Sequence, residues 1–387
     1  MINIFSNSLG NEELLAIKEV FASKWLGKGT ECSMLESELA KHFNCEEVLL
    51  TNCCTSAIYI ALKCHGIGKG DEVIIPTINF VAIASAVLEL GATPVFADVD
   101  PNYFNLLPQE ISRLKTNKTK AIFLLHYGGH PVSFDEIKAA AGDDVLIFED
   151  SANAVASIYK GKACGTLGDA GVFSFDAMKI LVMGDGGALI VKDELARARA
   201  KSQRYLGLGS KTRSGIDSSE GGADRWWEYD VELPAGRFIS NDILASVGRQ
   251  QLIKLPGFIE RRKEIWQRYQ DAFKSLAEVT RPPEPLPDTS GTYYLYWLRI
   301  PSKRDQLAHY LKEKGIYTTF RYYPLHLIDL YKSKENTLAP YAEIINETAL
   351  NLPIHNSLTN EEQNYIIDTV KQFFEPVSVV VDQAASN

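Results

Sequence analysis

The chain has 387 residues, 45% of them hydrophobic and 23% charged, with a formal net charge of -9. That length exceeds the usual size of one domain, so a large core and two domains are expected. The acidic balance and the lack of any lysine–arginine run argue against a nucleic-acid partner, and no apolar run is long enough to span a bilayer. The opening MINIFSNSLGNEELLAI lacks a basic region followed by a long apolar stretch, so no signal peptide is read and a cytoplasmic protein is expected. The six cysteines form no Cys-x-x-Cys pair and match no histidine cluster, which leaves no metal site. Cys53 and Cys54 are adjacent, which disfavours a disulfide between them, and reduced thiols are the expectation.

In chain order, NEELLAIKEVFASK (11–24) has helical apolar spacing with Asn11 as a possible cap, and residues 34–43 read as a second helix. The pattern then alternates. VLLT (48–51), EVIIP (72–76), TPVFADVD (93–100), AIFLLHY (121–127), VLIFED (145–150), AGVFSF (170–175) and GGALIV (186–191) read as strands. Helices are expected at 55–66, 80–91 and near 108–115. Such alternation predicts an α/β layered domain with a mostly parallel sheet, whose ligands bind at the carboxyl ends of strands. The polar, Gly-rich stretch 205–235 reads as a long loop. Helices at 241–253 and 257–277 follow, and past RPPEPLPDTSG a smaller α/β unit begins. The expected division is a large domain at 1–255, a smaller one at 256–376 and a tail at 377–387.

Three polar clusters fall at strand ends: Asn52-Cys-Cys-Thr-Ser56, Glu149-Asp150 and Ser174-Phe-Asp176. Taken alone, Asp150 reads best as a cap for the helix after it. Lys179, in SFDAMKILVMGDGG, sits between apolar residues and is either a surface lysine beside a turn or a buried one that reacts. Together the two suit pyridoxal phosphate, which needs a Schiff-base lysine and a carboxylate facing its pyridine nitrogen. A lysine pressed against apolar groups and a cationic ring loses its proton more readily. The stretch 52–56 would form a helix N-terminus for the phosphate, with Thr55, Ser56 and Ser174 adding hydroxyls, though Thr55 or Ser56 could merely cap the helix. Phe80 is a core aromatic or a ring that stacks on a flat cofactor.

The ordered set LTNCCTSAIYIAL, PTINFVAIASAV, FEDSANAVAS, FSFDAMKILVMGDGGALIV, RFISNDILASVGRQQL and LPIHNSLT resembles the DegT/DnrJ/StrS sugar aminotransferases, from about Phe5 to Phe374. The resemblance implies a type I pyridoxal phosphate transferase fold, with a seven-stranded-type sheet and a smaller C-terminal domain. It implies that Lys179 is the Schiff-base lysine and proton shuttle, and that Asp150 is the partner of the pyridine nitrogen. Asn153 would lie near the ring hydroxyl, Phe80 would stack on the ring, and Cys54, Thr55 and Ser174 would contact the phosphate. It also implies a homodimer with shared active sites, in which Gly236–Asn241 reaches into the partner's site. Arg237 stands where the family commonly has Asn or Lys, and would suit a phosphate. The implied reaction moves an amino group from L-glutamate to a keto or aldehyde sugar, usually nucleotide-linked, for surface polysaccharide or natural products. One branch carries histidine at the lysine position and acts as a dehydratase; Lys179 favours transamination. The rival readings are a dehydratase, an aminotransferase on a non-nucleotide sugar or small carbonyl phosphate, and a silent cofactor-binding regulator.

Overall fold

The computed structural model describes residues 1–208, 230–332 and 338–375. The long loop read at 205–235 thus falls mostly outside the described residues, and so does the tail at 377–387. Helices α1 (Asn11–Ser23) and α2 (Thr30–Phe43) precede strand β1 (Leu49–Thr51) and helix α3 (Cys54–Cys64). Then come β2 (Glu72–Pro76), α4 (Val81–Glu89), β3 (Thr93–Ala97), α5 (Pro108–Leu114), β4 (Thr119–Leu125), α6 (Phe134–Ala141) and β5 (Leu146–Asp150). The short hairpin strands β6 (Ile158–Tyr159) and β7 (Lys162–Ala163) lead to β8 (Ala170–Ser174), β9 (Gly187–Val191) and α7 (Glu194–Arg204). Helix α8 (Asp242–Ala272) joins this part to β10 (Thr289–Ser290), β11 (Tyr296–Arg299), α9 (Arg304–Glu313), α10 (Pro340–Thr348), β12 (Ala349–Leu352) and α11 (Asn360–Phe374).

The large sheet has seven strands in the order β1-β9-β8-β5-β4-β2-β3. Pairings among β3, β2, β4, β5 and β8 are parallel, and β9 runs antiparallel to both β8 and β1. Each strand read from the sequence is present. Both faces of the sheet are covered, so β1, β8 and β9 are buried at every position and β2, β4 and β5 at most of theirs, and the apolar runs are nearly continuous. Val73, Ile75, Ala121 and Phe123 pack under α3 and α4, while Ile74, Ile122 and Leu124 pack on the face that carries α5 and α6. Full burial of each such Val, Ile or Phe contributes roughly 1.5–3 kcal/mol.

A separate core gathers Tyr296, Leu298 and Leu352 of the β11–β12 pair with Leu307, Leu311, Ile366 and Val370. Two features differ from expectation. The helices read at 241–253 and 257–277 are one helix, with Pro256 inside it. Its first half lends Leu255 to the large core and its second half lends Ile265, Trp266 and Tyr269 to the smaller one, so packing at both ends outweighs the roughly 3 kcal/mol cost of an interior proline. The start of the chain also joins the smaller unit: the Ile2 N–H donates to the Gly315 carbonyl at 2.7 Å, and the Tyr317 N–H donates to the Ile2 carbonyl at 2.9 Å. Gly29, the N-cap residue before α2, has no side chain to cap it, and Asp242 at the head of α8 accepts the Gly29 and Cys32 N–H groups at 2.8 and 3.1 Å instead.

Candidate active site

The parallel strands all end on one edge, and the turns that leave this edge carry the polar clusters. Thr51 and Ser174 both pair with Gly187 in register, so the ends of β1 and β8 and the start of β9 lie side by side. Cys54, Thr55, Phe80, Asp150, Ser174 and Lys179 line one cavity there, of about 160 Å³. Separate turns thus deliver their side chains to a single volume.

The N-terminus of α3 forms a cup at one end of the cavity. Cys53 is the extended N-cap residue, with φ at -163°, and its side chain does not cap the helix. Among the described residues, no hydrogen bond uses the N–H groups of Cys54, Thr55 or Ser56. Those N–H groups and the helix dipole suit a phosphate. Gly187 lets the cup form: a Cβ there would stand 2.5 Å from the Cys54 nitrogen. Burial, with Asp150 nearby, holds the Cys54 thiol well above its ordinary range, so it is a neutral group.

Lys179 lies on the turn between β8 and β9. Ile180, Leu181, Val182 and Met183 after it are buried and pin that turn to the core. Gly184, at φ +90°, lets the chain reverse into β9. The Lys179 ammonium donates to Asn153 Oδ1 at 3.2 Å and lies 5.0 Å from the centre of the Tyr294 ring. Burial works against its charge, yet Tyr294, Tyr322, Asp150 and Cys54 around it move its pKa upward overall. Only Asp150 among these is ordinarily an anion at neutral pH, so we give that carboxylate the larger part. The sequence led us to expect a lysine more easily deprotonated. That expectation assumed a cationic ring beside it, whereas the chain's own residues supply a carboxylate and aromatic rings.

Glu149 and Asp150, adjacent at the end of β5, point to opposite faces. Glu149 is fully buried and structural: it accepts the Gly165, Leu167 and Gly168 N–H groups, each at 2.7 Å, and lies 2.9 Å from His126 Nε2. Asp150 faces the cavity, 4% exposed, and among the described residues its carboxylate accepts one hydrogen bond, from the Ala152 N–H at 3.0 Å. Burial raises its carboxyl above the ordinary range, against the pull of the Ala152 N–H, Lys179 and His126.

Phe80 caps the start of α4 and is 55% exposed, with its ring 6.0 Å from Tyr322. That is no core aromatic. Arg237 does not line the cavity of its own chain. It is exposed, 5.7 Å over the Tyr205 ring, although its neighbour Phe238 accepts the Asn52 N–H at 2.8 Å behind the cup. Tyr294 and Phe5 were not singled out from the sequence, and their spacing gives no signal. They reach the site because the smaller unit and the chain start fold over it, with Phe5 stacked on Tyr294 at 5.4 Å. His326 is a tie between elements, 2.6 Å from Thr77 Oγ1 and 3.3 Å from Glu343.

These groups fit pyridoxal phosphate. The cup offers free N–H groups, Asp150 has a carboxylate with one partner, and the buried Asn153 Nδ2 has none. A seven-stranded, mostly parallel sheet with such a lysine, carboxylate and cup defines a pyridoxal-phosphate-dependent transferase.

The chain belongs to the DegT/DnrJ/EryC1/StrS aminotransferase family, whose model matches residues 7–371. It is 42% identical to the dTDP-4-dehydro-2,3,6-trideoxy-D-glucose 4-aminotransferase of Saccharopolyspora spinosa, across 97% of both chains. Among solved structures it is similar to the aminotransferase TlmJ from Streptoalloteichus hindustanus, at 42% identity and a TM-score of 0.89, covering 96% of this chain and 98% of that one. It is also similar to the sugar aminotransferase Spr1654 from Streptococcus pneumoniae in its PMP form, at 26% identity and a TM-score of 0.88, with the same coverage. The chain is a pyridoxal-phosphate-dependent sugar aminotransferase. Among the described residues, no helix is long and apolar enough to cross a membrane.

Proposed function

We propose that this enzyme moves the amino group of L-glutamate to a keto carbon of a nucleotide-linked sugar, as a cytoplasmic homodimer with shared active sites. The product would serve surface polysaccharide or natural-product synthesis. The observation that carries the sugar assignment is the 42% identity, across 97% of both chains, to a 4-aminotransferase of a dTDP-linked keto sugar.

Bound pyridoxal phosphate supplies the electron sink for the carbon that loses its proton. Lys179 would hold it covalently and, once released, carry the proton between substrate carbon and cofactor. Asp150 would keep the ring nitrogen protonated, and Asn153 would face the ring hydroxyl. The N-terminus of α3, with Cys54, Thr55 and Ser174, would hold the phosphate while Phe80 covers the ring face. Arg237 would reach the phosphate of the neighbouring subunit. The division into a large domain before residue 256 and a smaller one after it belongs to the same reading.

The test is steady-state kinetics with L-glutamate and a panel of dTDP- and GDP-linked keto sugars, following release of 2-oxoglutarate. Parallel double-reciprocal lines with at least one of these sugars are expected. Turnover only with sugars lacking a nucleotide would refute the nucleotide-sugar assignment.

A further inference from the structure

Among the described residues three arginines are buried, and two of them meet acids: Arg197 lies 2.8 Å from Glu46, and Arg204 pairs with Glu36. The third, Arg262, is 1% exposed, and among the described residues no carboxylate pairs with it. It sits in the second half of α8. Its Nη1 donates to the carbonyls of Tyr293, Tyr294 and Ile354 at 3.4, 3.4 and 3.0 Å, and its Nε has no partner. Neutral carbonyls do not cancel a charge, and an unpaired cation this deep costs stability. Burial pushes the guanidinium down to about 10, which leaves it charged at neutral pH. Tyr294 links this charge to the site. Its N–H donates to the Gly128 carbonyl at 2.8 Å and its own carbonyl accepts from Arg262, so its backbone is held from both sides. Lys179 Nζ stands 5.0 Å and the Arg262 guanidinium carbon 6.0 Å from the centre of the Tyr294 ring, so the two cations are at most about 11 Å apart and share one aromatic neighbour.

We propose that Arg262 is a positioning residue for the reaction at Lys179: it fixes the Tyr294 ring beside the lysine, and its unpaired charge makes the lysine nitrogen give up its proton more readily. This rests on the aminotransferase reading above, in which the released lysine must be neutral to take a proton from the substrate carbon. The groups that face Lys179 work the other way. Asp150 on β5 supplies an anion, Cys54 on α3 is a neutral thiol, and Tyr294 and Tyr322 come from the smaller unit. Asp176 and Asp185, on the turn of Lys179 itself, add two more acids to the cavity lining and accept the Met178 and Gly186 N–H groups, each at 2.9 Å. Arg321 also lines the cavity, half-buried, where solvent screens its charge. Arg262 is fully buried, and its charge is screened least. His355 beside it does not share the role: burial, with Arg262 nearby, pushes that imidazole down to about 4, so it is neutral. Arg262 is thus the buried cation set against Asp150. At the effective dielectric of protein interiors, two charges about 11 Å apart displace a proton equilibrium by about 1 pH unit.

The test is a spectrophotometric pH titration of the lysine-linked cofactor band, without substrate, in cofactor-loaded wild type, Arg262→Met and Arg262→Lys. The midpoint reports the proton on the Lys179 nitrogen. Arg262→Met removes the charge and should raise that midpoint by about 1 unit, whereas Arg262→Lys keeps it and should stay within about 0.3 unit of wild type. Should Arg262→Met not fold, Arg262→Gln carries the same prediction, because its amide can still donate to the carbonyls that Arg262 holds. A residue that only braced the fold would lower the melting temperature in every variant and leave the midpoint alone. A neutral variant with an unmoved or lowered midpoint, or an Arg262→Lys that shifts as far as the neutral one, would overturn the proposal. If glutamate still converts the band in that case, the aminotransferase reading stands. A wild type with no cofactor band would bring down both.

Discussion

Asp150 shows what the site asks of one residue. Its carboxylate is buried with a single N–H donor, a poor place for a charge until a cationic ring nitrogen arrives. The substitution Asp150→Asn should lower kcat roughly 100-fold or more. It should also raise the melting temperature of the cofactor-free protein at pH 7. The folded carboxyl is shifted up, so the folded chain holds its proton more tightly than the unfolded one. Stability contributed by that proton is full below the unfolded pKa and is lost as pH rises through the folded one. The amide of the variant carries no such proton to lose, so its advantage at pH 7 should shrink as the pH falls into the ordinary carboxylate range. A wild type that melts higher at pH 7 would contradict this account. At this scale the sequence was most informative where residues sit at strand ends. Lys179, Asp150, Thr55 and Ser174 were legible because strand, turn and helix signals bracket them. Phe5 and Tyr294 were harder to place, because folding across a long sequence separation brings them in.

At the scale of elements, the cup depends on how closely α3 meets β9. Gly187→Ala would force a Cβ to within 2.5 Å of the Cys54 nitrogen, so the helix start must move. The expected cost is about 1–3 kcal/mol of stability, with at least about a 10-fold loss of cofactor affinity. Both can be read by thermal melting and by titration with pyridoxal phosphate, and unchanged affinity would show that the cup lies elsewhere. All seven strands were legible, because buried parallel strands read as apolar runs between helical patterns. Helix α8 was not: a proline inside a helical pattern normally marks a break, and only the two cores at its ends show why it continues here.

At the scale of the molecule, Arg237 is the residue whose place a single chain does not explain. It is exposed and off the cavity, although Phe238 beside it is tied behind the cup. If it completes the neighbour's site, the variants Lys179→Ala and Arg237→Ala should each be impaired when pure. Mixed under conditions that exchange subunits, they should recover up to roughly a quarter of wild-type activity, because half the dimers then hold one intact site. No recovery, with exchange demonstrated by mass, would place the site within one chain.

The most direct measurement of the central claim is the absorbance spectrum of the purified protein with pyridoxal phosphate, wild type beside Lys179→Ala, before and after L-glutamate. Wild type should show the band of a lysine-linked cofactor, and glutamate should convert it to that of the amino form. The variant should lack the first band. A wild type with no cofactor band, or one whose band glutamate leaves unchanged while other amino donors shift it, would contradict the account: the first in its assignment of Lys179, the second in its choice of donor.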